Sequence, residues 1–270
     1  MTDVIVAGGG LAGLVAARHL AANGADVTVF EQHEEVGGRV RTDHRDGFTF
    51  DRGFQVLFTA YPAVQDELDL AALDLRAFRP GAILAKPGER STLADPLRDP
   101  SALLPSLLNR DVTFGDKLRT FKLRWAMSRK PIADILAEDH ESIDDALRGL
   151  GFSEQFRDRF AAPFYGGITL DRSLSTSRLV FEYTFKMLST GKIVVPSAGM
   201  QAIPEQLAAA AREAGATIET GQTVDSLTQD SDGVQCVVDG ETIEADGAVV
   251  ATDPKSAREL TDCEAIPTDG

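Results

Sequence analysis

The sequence predicts an α/β fold interrupted by a long, largely helical insertion, and three observations predict it. A glycine-rich turn, Gly8-Gly9-Gly10-Leu11-Ala12-Gly13, joins a short β-branched run to a helix-period one. Glu31 closes a second, alternating run 23 residues after Gly8. The strand–helix–strand pattern then lapses over 61–195 and resumes over 196–270. Together they describe a Rossmann-like lobe (1–60 and 196–270) with an inserted lobe (61–195).

The first strand is the run DVIVA, 3–7, which stops at glycine. Leu11, Leu14, Val15, Ala17 and Leu20 then recur at helical spacing. In a GxGxxG turn of this kind Gly8 takes the sharp bend, Gly10 lets a pyrophosphate approach the backbone, and Gly13 lets helix and strand pack closely. The free N–H groups of the first helical turn, Leu11, Ala12 and Gly13, and the helix dipole point at the phosphates. Gly24 ends the helix, ADVTVFE forms the second strand, and Glu31, followed by Gln32, stands about 20 residues on, where an acid accepts a ribose hydroxyl. That carboxylate would repel a 2′-phosphate, so NADP is disfavoured while NAD and FAD remain.

Gly37-Gly38-Arg39 separates the two. NAD needs nothing after Glu31, whereas FAD lies extended past the second strand, where a glycine pair admits close backbone approach and Arg39 brings a cation. A surface ion pair of Arg39 with Glu34 or Glu35 is the other reading.

The run VIVAGGGLAGLVAARHLAANGADVTVFEQHEEVGGRVRT, followed by GFTFDRGFQVL, resembles the N-terminus of the flavin amine oxidase superfamily, which includes phytoene desaturases and protoporphyrinogen oxidases. The resemblance implies an FAD-binding lobe, with Gly38 and Arg39 on FAD, and Asp51, Gly53, Phe54 and Gln55 running near the isoalloxazine. It implies that Val224 offers its backbone to the adenine, and Ala251 and Thr252 are expected to close over the adenosine half. Where the family has Pro-x-Gly-Gly-Met, this chain has Pro196-Ser197-Ala198-Gly199-Met200, which puts local contact with the ring in question. The chain resembles the N-terminal two-thirds of the family pattern, so its C-terminal part is expected to be absent.

Within the insertion, prolines between 62 and 105 punctuate short segments, and helical patterns occupy about 115–190. Ser142 and Asp145 form a variant capping box. Residues 110–130 carry seven bases against Asp111 and Asp116, with Phe114, Leu118, Phe121 and Trp125 at helical spacing. The expected arrangement is a core-packed helix whose basic face is solvated or meets acids elsewhere in the fold. A basic helix resting on anionic lipid is the alternative. Phe160, Phe164, Tyr165, Phe181, Tyr183 and Phe185 are expected in the core, with the lining of an apolar cavity as the other reading. Beyond the insertion come a helix containing Leu207, the strand ATIETG, and a hairpin turning at Asp239-Gly240 into the strand GAVVAT.

With 270 residues the chain exceeds the roughly 100–200 residues usual for one domain. No run approaches the ~18 apolar residues of a membrane span. The apolar N-terminus has Asp3 where a signal peptide has a basic region and is read as mature fold. Cys236 and Cys263 suggest neither zinc nor a disulfide framework, so no metal and a reducing cytoplasm are expected. The net charge of -15 disfavours nucleic acid. Seven lysines against twenty arginines, with clustered acids, fit a salt-loving source or simply an acidic cytosolic enzyme.

The expected activity is FAD-dependent hydride abstraction, desaturating or dehydrogenating an apolar, isoprenoid-like small molecule, with amine oxidation or a non-catalytic flavin-binding fragment as alternatives. No catalytic base emerges among His19, His33, His44 and His140.

Overall fold

The computed structural model describes residues 1–53, 55–94, 98–138, 141–231 and 233–267. Phe54 and His140 lie outside the described residues. The chain forms two compact units, one of residues 1–57, 63–76 and 195–270, the other of 58–62 and 77–194.

The first unit is built on a four-stranded parallel sheet in the order Thr217–Thr220, Asp26–Glu31, Asp3–Ala7, Gly247–Val250. Successive residues of a strand take opposite faces. Ile5, Ala7 and Phe30 therefore meet Leu227, Cys236 and Val238 of a three-stranded antiparallel sheet (Val224–Gln229, Val234–Val238, Glu241–Ala245). Val6, Val27 and Val29 meet Ala17 and Ala21 of the helix Leu11–Ala22 and Ala211 of the helix Ala202–Glu213. Covering both faces explains why VIVA and GAVV read as unbroken apolar runs.

The hairpin at Asp239-Gly240 has positive φ at both residues, 49° and 82°, as a primed two-residue turn requires. A second such turn, Asp46-Gly47, joins Thr42–Arg45 to Phe48–Asp51, a hairpin not anticipated from sequence. Residues 63–76, expected in the insertion, fall in the first unit instead. Polar bonds fix them there: Asp69 N–H donates to Gln206 Oε1 at 2.9 Å, and Glu67 pairs with Arg18 and His19 of the first helix.

The second unit holds the hairpin Gly81–Lys86/Glu89–Ala94 and a helical core. Phe152, Phe156, Tyr165 and Phe181 are buried there, with Phe160, Phe164, Tyr183 and Phe185 packed against them, so the aromatic-rich stretch is core. Neighbouring rings run in contact from Phe152 to Phe164: Phe152 stacks on Phe156 and Phe160 on Phe164, and Phe156 meets Phe160 at a tilt of 40°. Helix Ile143–Gly149 is capped by Ser142, whose hydroxyl accepts from Asp145 N–H at 3.0 Å and donates to the Asp145 carboxylate. A π-helical segment, Arg157–Ala161, precedes Pro163, whose missing N–H removes one bond of the α-helical ladder.

The helix Phe114–Arg129 is turned opposite to expectation. Its buried residues are Asp116, Leu123 and Met127, whereas Phe114, Leu118, Phe121 and Trp125 are 74%, 48%, 54% and 60% exposed. Asp116 decides the facing. Its carboxylate, fully buried, accepts from Ser153 N–H (2.9 Å), Ser153 Oγ (2.6 Å) and Thr113 Oγ1 (2.5 Å). Burial pushes its pKa up, but these donors outweigh that and hold it below the ordinary carboxylate value. A charge so satisfied is stable only inward, which leaves the aromatic seam outward.

Candidate dinucleotide-binding site

The site lies at the carboxyl ends of the parallel strands, where folds of this type bind ligands. The chain leaves Asp3–Ala7 through Gly8, whose N–H donates to Phe30 O at 2.9 Å, and enters the helix at Leu11 with Gly10 as an extended N-cap. A Cβ at Gly13 would lie 2.0 Å from Gly8 O, so helix and loop touch there. Ala251 bonds Ala7 O through its N–H (2.8 Å) and sets its carbonyl 2.9 Å from where a Gly8 Cβ would be.

Glu31 is 5% exposed at the end of the second strand. Gly9 N–H donates to its Oε2 at 2.9 Å, and His33 N–H donates to Oε1 at 3.0 Å with His33 Nδ1 at 2.8 Å. Three partners leave lone pairs on a carboxylate that has about four acceptor sites. The side chain is therefore held in one orientation while keeping room to accept a hydroxyl.

Gly37 and Gly38 pack on the first loop. Gly37 N–H donates to Gly9 O at 2.8 Å, and a Cβ on Gly38 would stand 3.4 Å from Gly10 Cα. Gly37 has φ +124°, and a Cβ there would meet Val40 O at 2.5 Å, so a side chain is refused on two grounds. Arg39 follows, exposed, with no ion pair to Glu34 or Glu35 among the described residues. Its carbonyl accepts from Gln55 Nε2 at 2.8 Å, and the same amide bonds Arg52 O at 2.9 Å.

A polar node completes the surroundings. Thr42 Oγ1 donates to Asp51 Oδ1 (2.6 Å) and accepts from Gln201 N–H (2.9 Å), while Met200 N–H donates to Asp51 Oδ1 (2.8 Å). Gln201 Nε2 reaches back to Val36 O at 2.7 Å. Gly199, at φ +95°, fits against Thr42, whereas Ala198 is exposed with no positive φ, so alanine there costs the backbone nothing.

Residues 11–269 match the family model described as Flavin containing amine oxidoreductase. The chain belongs to that family. It is 30% identical to a phytoene dehydrogenase of Streptomyces griseus over 95% of this chain and 55% of that protein. It is 47% identical to a 4,4'-diapophytoene desaturase (4,4'-diaponeurosporene-forming) of Staphylococcus haemolyticus over 24% of this chain and 13% of that one. The fold is similar to that of an oxidoreductase from Methanosarcina mazei, with a TM-score of 0.72 and 21% identity over 99% of this chain and 62% of that chain. The chain thus spans about half the length of the phytoene dehydrogenase.

The structure places Gly8, Gly10, Leu11, Ala12 and Gly13 after the end of Asp3–Ala7 and Glu31 and Gln32 at the end of the neighbouring strand Asp26–Glu31, with Gly38 packed on Gly10 and Arg39 next to it in sequence. Gly53 sits apart, exposed in the turn after Phe48–Asp51, and the residue before it, Arg52, is joined to Arg39 through the Gln55 amide. Val224 packs with Ile5, Ala7 and Phe30, and Gln222 N–H, two residues earlier, donates to Glu31 O at 3.0 Å. Sequence reasoning missed Gly9, His33, Thr42 and Gln201. Gly9 had a signal: Glu31 Cβ stands 3.0 Å from where a Gly9 Cβ would be, so the middle glycine of the turn is as constrained as its neighbours. His19 pairs with Glu67, His33 with Glu31, and His44 faces Thr49.

Proposed function

We propose that this chain binds FAD and contributes to an oxidoreductase that desaturates or dehydrogenates an apolar, isoprenoid-like small molecule. The observation that carries the reading is the buried Glu31 carboxylate, oriented by Gly9 and His33 at the strand end beside the glycine turn. These residues fit the adenosine and pyrophosphate of a dinucleotide. Glu31 accepts ribose hydroxyls, the N–H groups of Leu11, Ala12 and Gly13 meet phosphate, and the helix dipole adds positive potential there. Arg39 supplies a cation beyond the second strand, where FAD extends and NAD does not. Bound flavin supplies the hydride acceptor.

The substrate class rests on the names of the relatives, a phytoene dehydrogenase and a diapophytoene desaturase. The family description favours a second reading, amine oxidation. An absorption spectrum of the purified protein, with chromatography of the heat-released cofactor, tests FAD against FMN and against a colourless protein. Anaerobic mixing with an acyclic isoprenoid hydrocarbon and with a primary amine then separates the readings: bleaching of the flavin by the hydrocarbon is expected, and bleaching by the amine alone overturns the substrate assignment.

A further inference from the structure

The outward seam of the helix Phe114–Arg129 has no counterpart in a core-packed helix. Phe114, Leu118, Phe121 and Trp125, four residues spaced by three or four, form one apolar stripe along a helix about 24 Å long. Bases flank it on both sides: by helical position Lys122 and Arg129 border one edge and Lys117 and Arg124 the other. Arg129 lies over the Trp125 ring, its guanidinium carbon 4.1 Å from the centroid. Lys117 Nζ donates to Leu107 O (3.0 Å) and Asn109 O (2.8 Å), tying to this edge the short helix Leu103–Leu108, whose Leu104, Leu107 and Leu108 are also exposed.

A soluble helix hides its larger apolar seam; this one shows it. Two chemistries are presented side by side, large apolar side chains and a rim of cations, in a chain whose net charge is -15. The net charge of -15 opposes another copy and an anionic surface alike, so the local pattern selects the partner: a second copy seated on this helix would set one basic rim against another, whereas a surface that is apolar beneath and anionic above complements the stripe and its basic flanks at once. We infer that the helix Phe114–Arg129 lies in the plane of an anionic lipid surface, with Phe114, Leu118, Phe121 and Trp125 in the acyl boundary and the exposed bases Lys122 and Arg129 at the headgroups.

Trp125 is the single tryptophan of the chain and reports its own environment. The purified protein is mixed with vesicles of phosphatidylcholine and phosphatidylglycerol, or of phosphatidylcholine alone, at low and high salt, with co-sedimentation read alongside Trp125 emission. Emission moves to the blue and the protein sediments with the anionic vesicles, less so as salt rises. Lys122→Glu/Arg129→Glu weakens this binding by roughly tenfold or more, and Phe114→Ser/Phe121→Ser abolishes the emission shift while leaving thermal unfolding unchanged, since both side chains are exposed. Absence of sedimentation and of an emission shift with anionic vesicles at low salt overturns the inference. So does equal binding to phosphatidylcholine alone that the charge reversal leaves untouched. A lipid-free blue shift that grows with protein concentration, together with a dimer in sedimentation velocity, assigns the stripe to a second copy and also overturns it.

Discussion

The main-chain N–H of Gly9 donates to Oε2 of Glu31 across 22 residues of sequence, at 2.9 Å. The bond fixes the carboxylate against the glycine turn before any ligand arrives. Glu31→Ala removes the charged acceptor, and losing charge-assisted hydrogen bonds of roughly 1.5–3 kcal/mol lowers FAD affinity by about tenfold or more. Flavin retained after gel filtration measures it; retention equal to that of the unaltered protein counts against a ribose at Glu31.

Gly37→Ala destabilises the first unit. Its φ of +124° is strained for alanine, and the added carbon meets Val40 O at 2.5 Å and Pro204 Cγ at 3.0 Å. Strain alone costs on the order of 1–3 kcal/mol. Ala198→Gly, three residues before Gln201, is expected to gain nothing, because Ala198 already has an ordinary φ. Thermal unfolding of the two variants side by side checks both statements.

Thr42→Val keeps shape and deletes the hydroxyl that joins Asp51 to Gln201 N–H. With Thr42 and Gln201 both buried, the stranded N–H costs roughly 1–3 kcal/mol. Urea denaturation reads this directly. A variant as stable as the parent removes the node from the forces that hold the hairpin Thr42–Asp51.

Asp116 makes the second unit sensitive to acid. Its pKa is held below the ordinary carboxylate value in the fold, so its contribution is complete above about pH 4 and is lost as pH falls through the lowered value. Asp116→Asn shifts the urea midpoint less than the parent does between neutral pH and pH 3. Parallel pH profiles for the two proteins would sink this account.

The glycine turn, Glu31 and the Asp239-Gly240 hairpin were legible because each is written in a short window whose spacing has one physical reading. The node of Thr42, Asp51 and Gln201 was not. Its members stand up to 159 residues apart and are polar residues with no periodicity to mark them. The facing of Phe114–Arg129 failed for a different reason. The helix carries two opposed apolar seams, and the larger was taken as inward, although the smaller contains Asp116, whose partners Thr113 and Ser153 settle the matter. The Asp46-Gly47 turn had its dipeptide signal, but the strands beside it carry charged residues and exposed phenylalanines that do not read as a buried pair. Residues 63–76 were misplaced because their attachment to the first unit includes single polar bonds from Asp69 and Glu67 rather than a hydrophobic pattern.

The bond from Gly37 to Gly9 also limits how this site can be transplanted. A chimera that carried only residues 1–31 into another scaffold would take the motif and leave behind the peptide on which the turn rests. The smallest portable unit includes the loop through Gly38, and that loop is itself moored through Val36 to Gln201. An engineer exchanging cofactor preference between relatives would therefore need to swap residues 1–38 together with the distant segment that bears Gln201, and an inherited change at position 37 would disturb the turn without touching anything the turn holds.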